Sequence, residues 1–197
     1  VTVTTLVTTS FGSYTPNVPS NITISILAGS LSGSVTFTPT NNSSYDGTSN
    51  VTFAINSVVG GGAIGNTVRI PLSGTSKVVA VTENEVAPTV QLSASGSSVA
   101  ENGSDIILTA TLSTSTYQDV VVSLSGSGSA TSGSDYSFQT ITISAGNTTG
   151  TSSFVPIEDS LYEGVTETAV VAIGTVSGGG ATENGTQSVS IAITESD

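Results

Sequence analysis

The sequence predicts an all-β protein made of two tandem immunoglobulin-like β-sandwiches, the first of which lacks its first two strands. Three observations support this fold class. Short apolar stretches of Val, Ile, Leu and Ala are separated by Ser, Thr, Gly and Asn, which favour turns and pleated surfaces over helices. Many stretches alternate apolar and polar residues, as "TITIS" and "SVSIAIT" do, which is the period of a strand with one buried face. The third observation is an internal repeat.

Two copies of one unit follow each other along the chain. Residues 28–55 align without gaps on residues 145–172, at a constant offset of 117. Further on, "VVGGGA" corresponds to "VSGGGA", and "VVAVTENE" at 78–85 corresponds to "SIAITESD" at 190–197. Pro88 stops the last strand of the first copy. We therefore place the first sandwich at residues 1–86 and the second at residues 87–197.

The second copy contains seven predicted strands. They lie at about 89–95, 105–112, 119–125, 139–144, 150–156, 167–175 and 187–194. Most of them alternate apolar residues with Ser or Thr, and Gly-rich turns separate them. About seven short strands with turns between them are typical of an immunoglobulin-like sandwich.

The first copy begins partway through the unit. "VTVTTL" at residues 1–6 corresponds to "VVVSLS" at 120–125, so the first two strands of the unit have no equivalent in this sequence. A sandwich without these strands has open edges and an open core, which proteins normally avoid. Three explanations stay open: a slice of a longer repeat array, a lost upstream segment, or a strand donated by a neighbouring molecule. In the third case the terminus "VTVTTLVTT" is a candidate for the donated strand of a fibre subunit.

The composition excludes several classes of function. Cys, Met, Trp and His are absent, which excludes disulfides, thiolate or imidazole metal sites and His-dependent catalysis. Two basic residues against fourteen acidic ones argue against nucleic acid, because nothing neutralises phosphates. No apolar run approaches the roughly 20 residues that span a bilayer, so we expect no direct membrane insertion. An acidic chain that is poor in Lys and lacks Cys suits an extracellular or cell-surface location.

The negative charge is concentrated in the second copy. Residues 1–86 hold three acids and two bases, whereas residues 87–197 hold eleven acids and no base. The stretch "IEDSLYEGVTE" at 157–167 alone carries four carboxylates in a chain that is only 8% charged. Clustered carboxylates repel one another unless a cation lies among them. Ca²⁺ suits such a cluster because it takes roughly 6 to 8 oxygen ligands in a flexible geometry.

The second copy resembles the Calx-beta domain family over residues 88–197. The resemblance rests on "VAENG", then "GSDYSFQTITISAGNTTGTSSFVPIEDSLYEGVTET", then the closing "IAITESD". The combination of Ser-Asp-Tyr, Ala-Gly and Pro-Ile-acid-Asp-x-x-x-Glu-Gly in this order is fairly specific for the family. Calx-beta domains are sandwiches that bind calcium at one end. They occur in regulatory exchangers, integrin-associated proteins and large bacterial surface adhesins.

The resemblance implies a set of calcium ligands in the second copy. They are Glu101, Asp135, Glu158, Asp159, Glu163, Glu167, Glu195 and Asp197. The sequence departs from the family where Glu158 and Glu195 replace the usual Asp, where Ser196 interrupts a terminal acidic run, and where one extra residue precedes Glu167. These departures would reduce the number of ions or the affinity. The alternative interpretation is that the acids only solvate loops.

The first copy lacks most of the corresponding acids. Asn41, Asn42 and Asn50 stand at the offset positions of Glu158, Asp159 and Glu167. Only Asp46, in the place of Glu163, stays acidic. Amide oxygens can bind calcium but carry no charge, so the affinity should fall steeply. We expect the first copy to keep the fold and to have lost the site.

Three classes of function remain. The leading hypothesis is an extracellular structural or adhesive module, stabilised by calcium, in a repeat array or filament of a cell-surface protein. Its partners would be neighbouring copies or domains of the same protein, including a head-to-tail homopolymer. The second hypothesis is a calcium-dependent module that binds a surface glycan or protein. The third, a glycosidase that uses Glu163 and Glu167, is disfavoured because the acids are better explained as ligands, so we expect no enzyme.

Overall fold

A computed structural model describes residues 2–10, 21–60, 76–159, 162 and 166–196 of the chain, without the side chains of residues 3–10 and 56. These residues form strands and loops only, which confirms the all-β class. The chain divides into two compact units, one of residues 1–42 with 48–83 and one of residues 43–47 with 84–197. In the part of the chain that is described, no helix has the length and apolar character to cross a membrane.

The described residues of the first unit form one four-stranded antiparallel sheet. Its strands are β1 (Thr2–Ser10), β2 (Asn21–Ser25), β3 (Ser49–Val59) and β4 (Ser76–Val81), in the order β2-β1-β3-β4. Strand β1 pairs with β2 along one edge and with β3 along the other. Residues 2–9 of the stretch "VTVTTLVTT" therefore lie in an internal strand of this sheet, paired along both edges. Donation of this stretch to a neighbouring molecule stays an untested expectation.

The second unit is a sandwich of two five-stranded sheets. Its strands are β5 (Thr89–Ala94), β6 (Ser98–Ala100), β7 (Ile106–Leu112), β8 (Val120–Gly128), β9 (Tyr136–Phe138), β10 (Ile141–Ile143), β11 (Thr149–Pro156), β12 (Glu167–Ser177), β13 (Thr182–Glu183) and β14 (Ser188–Thr194). The sheet orders are β10-β8-β12-β14-β6 and β13-β5-β7-β11-β9. All seven predicted strands are present. Strands β6, β9 and β13 were missed because two or three residues are too few to show a period.

The inner faces of the two sheets pack into one core. Along β7, Ile106, Leu108, Ala110 and Leu112 are buried, while the residues between them are not. In the same core Tyr136 stacks on two phenylalanine rings, with centroid distances of 4.9 and 5.9 Å. Each fully buried apolar side chain contributes about 1.5–3 kcal/mol. This core fixes the strand ends from which the candidate site residues project.

The sheet of the first unit repeats four strands of the second unit in the same register. The order β2-β1-β3-β4 corresponds to β10-β8-β12-β14. Asn56 is skipped where β3 pairs with β1, and Gly174 is skipped where β12 pairs with β8. A bulge at matching positions of two sheets is a specific feature. The internal repeat of the sequence is therefore also a repeat of structure.

The bulges correct the sequence alignment by one residue in these strands. The offset between Asn56 and Gly174 is 174 − 56 = 118, and not 117. The first residue of β12, Glu167, therefore corresponds to the first residue of β3, Ser49, and not to Asn50. The extra residue lies in the loop before β12. A gapless alignment does not reveal this extra residue, because the Tyr-acid-Gly sequence of the two loops matches at the offset of 117.

Candidate metal centre

Six of the eight predicted calcium ligands lie in the described part of the chain. They are Glu101, Asp135, Glu158, Asp159, Glu167 and Glu195. The other two, Glu163 and Asp197, lie outside the described residues. Each of the six either follows the end of a strand or lies at or just before the start of one. We call the end of the second unit that carries these six residues the acidic pole.

The backbones of three acids meet at the end of one sheet. The N–H of Glu101 donates to the carbonyl of Thr194 over 3.1 Å, which places Glu101 beside Glu195. Glu167 pairs with Ile193 across β12 and β14. Strands β6 and β14 are parallel and end here, whereas β12 is antiparallel and begins here. All three acids are partly buried.

Two further acid positions are neighbours at the end of the other sheet. The N–H of Ile157 donates to the carbonyl of Asp135 over 2.9 Å. Pro156, the last residue of β11, pairs with Tyr136, the first residue of β9. Glu158 therefore follows directly beside the segment that contains Asp135. The antiparallel pairing of β9 and β11 is what brings these two positions together.

The loop between β8 and β9 connects the ends of the two sheets. Ala130 donates its N–H to the carbonyl of Thr168 over 3.2 Å, and Thr168 donates its own N–H to the hydroxyl of Ser129 over 2.8 Å. The same loop contains Asp135, whose carboxylate accepts the N–H of Thr131 over 2.5 Å. The start of β12 and Asp135 therefore lie at the same pole of the sandwich.

The side chains at the acidic pole do not form a closed cage. Among the described residues, no group of three or more acidic side chains is arranged to hold a metal ion. Glu195 uses one carboxylate oxygen on the N–H of Ser196 over 3.2 Å, and Asp135 uses one on the β8–β9 loop. Glu158 and Asp159 are exposed to solvent. Each carboxylate still offers a second oxygen and several lone pairs.

Ser196 shows a polar group that a cation would satisfy. Its hydroxyl oxygen is buried and has no hydrogen-bond partner among the residues that the structure describes. A buried hydroxyl without a partner costs about 1–3 kcal/mol. In the sequence this residue only interrupts the acidic pair Glu195 and Asp197. The oxygen of a hydroxyl is a hard donor of the kind that Ca²⁺ accepts.

Asp105 is an acid at this pole that the motif did not identify. It precedes Ile106, the first residue of β7, which pairs with Phe154 near the end of β11. Its side chain is exposed. An Asp beside a turn is usually explained by turn formation, so the sequence offered no signal that separated it from a loop residue.

The opposite end of the second unit holds a contact that the sequence did not predict. Residues 43–47 belong to this unit, where Tyr45 forms a parallel bridge with Thr116. The N–H of Tyr45 donates to the carbonyl of Ser115 over 2.9 Å, and the hydroxyls of Ser44 and Ser115 lie 2.7 Å apart. Serine and threonine are so frequent in this sequence that no spacing could have indicated the pairing.

Comparisons with known proteins add little to this geometry. No family model matches the sequence, and no curated protein matches it. Among solved structures, the chain is similar to the apo form of the Calx CBD1 domain at 15% sequence identity and a TM-score of 0.45. That alignment covers 55% of this chain and 99% of the other. A TM-score this low carries no argument about binding, and membership of the Calx-beta family stays a prediction.

Proposed function

We propose that this protein is an extracellular structural or adhesive module of a cell-surface repeat array or filament, and that Ca²⁺ stabilises its acidic pole. The observation that supports the proposal most strongly is the meeting of Glu101, Glu167 and Glu195 at the end of one sheet. Three partly buried carboxylates on neighbouring strand ends repel one another unless a cation neutralises them.

The second copy supplies no positive charge of its own. Residues 87–197 contain no Lys or Arg, so no basic side chain of this part of the sequence can neutralise the acids. Carboxylate and hydroxyl oxygens on loops match the flexible oxygen coordination of Ca²⁺, whereas Mg²⁺ requires a more rigid octahedral arrangement. The buried hydroxyl of Ser196 adds an oxygen of the same kind.

Calcium would act by fixing the end of β14. The ion would join Glu195 to the loops that carry Glu101 and Asp135, which otherwise repel it. A ligand that binds only the folded state stabilises it by about 2.7 kcal/mol when its free concentration is a hundredfold above Kd. In a calcium-rich exterior this would keep the module rigid where the chain leaves the sandwich.

Thermal unfolding with and without calcium tests this proposal. We expect the melting temperature of the full chain to rise in calcium relative to chelator, and to rise much less in an equal concentration of magnesium. Light scattering of the same samples would report whether copies assemble into arrays or filaments. Equal melting temperatures in calcium and in chelator would contradict a stabilising role of calcium.

A second candidate function is calcium-dependent binding of a glycan or a protein. One observation favours it, because Tyr162 is 69% exposed in the acidic loop between β11 and β12. Exposed aromatic rings are frequent at recognition surfaces. A glycan array probed in calcium and in chelator, with Tyr162→Ala as the comparison, tests this function. Binding that is lost in chelator and in the variant would favour it over a purely structural role.

We assign the acids to metal binding and not to catalysis. A glycosidase places two carboxyl groups roughly 5 to 9.5 Å apart on either side of a bound sugar ring. The described acids are instead distributed over several strand ends. Turnover of any member of a glycoside panel by the full chain, and its loss in Glu167→Gln, would overturn this assignment.

A further inference from the structure

The two matched sheets bury their inner faces to different extents. In the second unit, Ile173 is 8% exposed and Ile191 is fully buried. Ile55 and Val79 hold the same register positions in the first unit, and they are 37% and 39% exposed. The same strand order and the same bulge thus carry a closed core in one unit. In the other unit the matching face is buried at Val51 and partly exposed at Ile55 and Val79, and we call it the open face.

One piece of the covering layer is present in the first unit. Phe37 packs edge-on against Phe53 on β3, with ring centroids 5.3 Å apart at 69°. At the offset of 117, Phe37 corresponds to Phe154, which lies in β11 and is fully buried. The segment around Phe37 therefore contacts the apolar face of β3 and contributes to its cover, as β11 does in the other unit.

This segment has no strand partner among the described residues. Residues 32–40 are not part of any strand, whereas β11 pairs with β7 along one edge and with β9 along the other. The outer edge of β4 is likewise not paired with a described strand. In the second unit the matching edge of β14 is covered by β6, in parallel. In the described part of the first unit, two strand edges have no paired strand and one apolar face is partly exposed.

The strands that close these surfaces in the second unit are β5, β6 and β7. They contain no charged residue, and β7 alone buries Ile106, Leu108, Ala110 and Leu112. In the order of the repeat they precede β8, whose equivalent in the first unit is β1. The described residues of the first unit therefore contain no equivalent of these three strands.

We propose that the open face of the first unit binds a segment of the type of residues 89–112, whose strands alternate apolar and polar residues and carry no charge within the strands themselves. The segment adds one strand along residues 32–39, as β7 does to β11, and another along the outer edge of β4, as β6 does to β14. Main-chain hydrogen bonds supply affinity in such strand addition, and alternate side chains supply specificity. This inference rests on the proposed role as a module of an array or filament and names the contact that builds it.

The repeat itself provides the probe. Because "VTVTTL" at residue 1 corresponds to "VVVSLS" at 120, an extra copy of residues 88–119 placed directly before residue 1 restores the order of the unit without a linker. We would make this extension on the full chain and compare it with the unextended chain by amide hydrogen exchange. We expect exchange at residues 35–38 and 76–81 to slow about tenfold or more, because open edges become protected. Binding of a hydrophobic dye should fall in parallel.

A matched control separates strand addition from a general effect of extra sequence. The same extension with Leu108→Asp and Ala110→Asp in the added copy keeps its length but places charges on the buried face. It should leave exchange at residues 35–38 and 76–81 unchanged. The native second unit is intact in both proteins, so its own unfolding transition reports that the chain has folded.

The source of the strand is tested by a second arm. Residues 88–119 added as a separate peptide to the unextended chain should protect the same amides if another molecule can supply the strand. Protection only in the extension indicates that the strand comes from the same polypeptide. If the unextended chain already protects these amides, its own residues cover the face and the inference is wrong. Equal exchange in the extension and its charged control would also overturn it.

The same samples distinguish this inference from the calcium role. The strand segment acts on the amides of the first unit, whereas calcium acts on the unfolding transition of the second. If the extension protects these amides but calcium does not stabilise the chain, the strand inference stands and the calcium role is wrong. The reverse result would retain only the calcium role.

Discussion

The backbone N–H of Glu101 donates a hydrogen bond to the carbonyl of Thr194 over 3.1 Å. The two residues are far apart in the chain, and the bond exists because β6 lies parallel to β14 at the edge of its sheet. It sets Glu101 beside Glu195, so that two carboxylates of like charge share one end of the sandwich. A change in charge at one of them therefore changes the electrostatic energy of the other.

Removing the charges of Glu101 and Glu195 should weaken calcium binding, and it should preserve or raise the stability of the chain without calcium. We expect Glu101→Gln with Glu195→Gln to unfold at an equal or higher temperature in chelator, since repulsion is relieved. In calcium the same variant should lose stabilisation, about 1.4 kcal/mol for each tenfold loss of affinity. Thermal unfolding in both conditions measures the difference.

Asp119→Asn is the matched control for this pair. Asp119 lies at the opposite end of the second unit, where its carboxylate accepts the N–H of Ala145 over 2.8 Å. Asparagine keeps that acceptor while it removes one charge. The rise in melting temperature from chelator to calcium should be the same for Asp119→Asn as for the unmodified chain. An equal loss for the glutamate pair in calcium and in chelator would contradict a ligand role.

The acidic loop before β12 allows an independent test. We expect Asp159→Asn with Glu163→Gln to lower the melting temperature in calcium and to change it little in chelator, because both residues are predicted ligands and Asp159 is exposed. Isothermal titration with calcium should show weaker binding or fewer ions. Unchanged titration curves would assign these two acids to solvation of the loop.

Tyr136 provides a prediction about pH. Its pKa is raised from the ordinary value of 10.0, first by burial and then by the negative charge of Asp135. Above that value the unfolded chain loses the tyrosine proton before the folded chain does, so the free energy of unfolding falls as pH rises. Tyr136→Phe has no such proton and should lose less stability between neutral pH and about pH 11.

The same variant should be tolerated at neutral pH. The hydroxyl of Tyr136 is buried and has no hydrogen-bond partner among the described residues, so its removal relieves an unsatisfied polar group. Tyr162→Phe, at an exposed position, is the control for the loss of a tyrosine. Denaturant unfolding at both pH values makes the comparison. Parallel pH dependence of the Tyr136→Phe chain and the unmodified chain would refute this prediction.

The sequence was sufficient to predict the strands that are long enough to show the two-residue alternation. "IILTATL" alternates over its full length and forms β7, with every second residue buried. Shorter strands such as β13 carry no period, and the one-residue shift at Gly174 is invisible because a bulge changes pairing and not composition. Alternation also predicted a strand at residues 1–9, where β1 covers residues 2–10. The partners of this strand depend on contacts with residues distant in sequence.

The candidate site was also predictable only in part. The positions of Glu167 and Glu195 at strand ends followed from the predicted strands, whereas Glu101 follows β6, which was not predicted. The topology brings the backbones of all three residues to one pole. The directions of the carboxylates depend on loop conformation and on local acceptors such as the N–H of Thr131. Strand periodicity contains no information about either. The sequence could therefore indicate the pole but not a set of ligands around one point.

The matched sheets allow a direct comparison of one substitution in two environments. Ile173 and Ile55 hold the same register position, but Ile173 is 8% exposed and Ile55 is 37% exposed. We expect Ile173→Ala to cost about 2–5 kcal/mol, as for a closed core, because it leaves a cavity. Ile55→Ala should cost at most about 1 kcal/mol, since its side chain is partly in water. Denaturant unfolding, followed by hydrogen exchange in each unit, measures the two costs separately. Equal costs would mean that the first unit is closed in solution by its own residues, and the open face would then not exist.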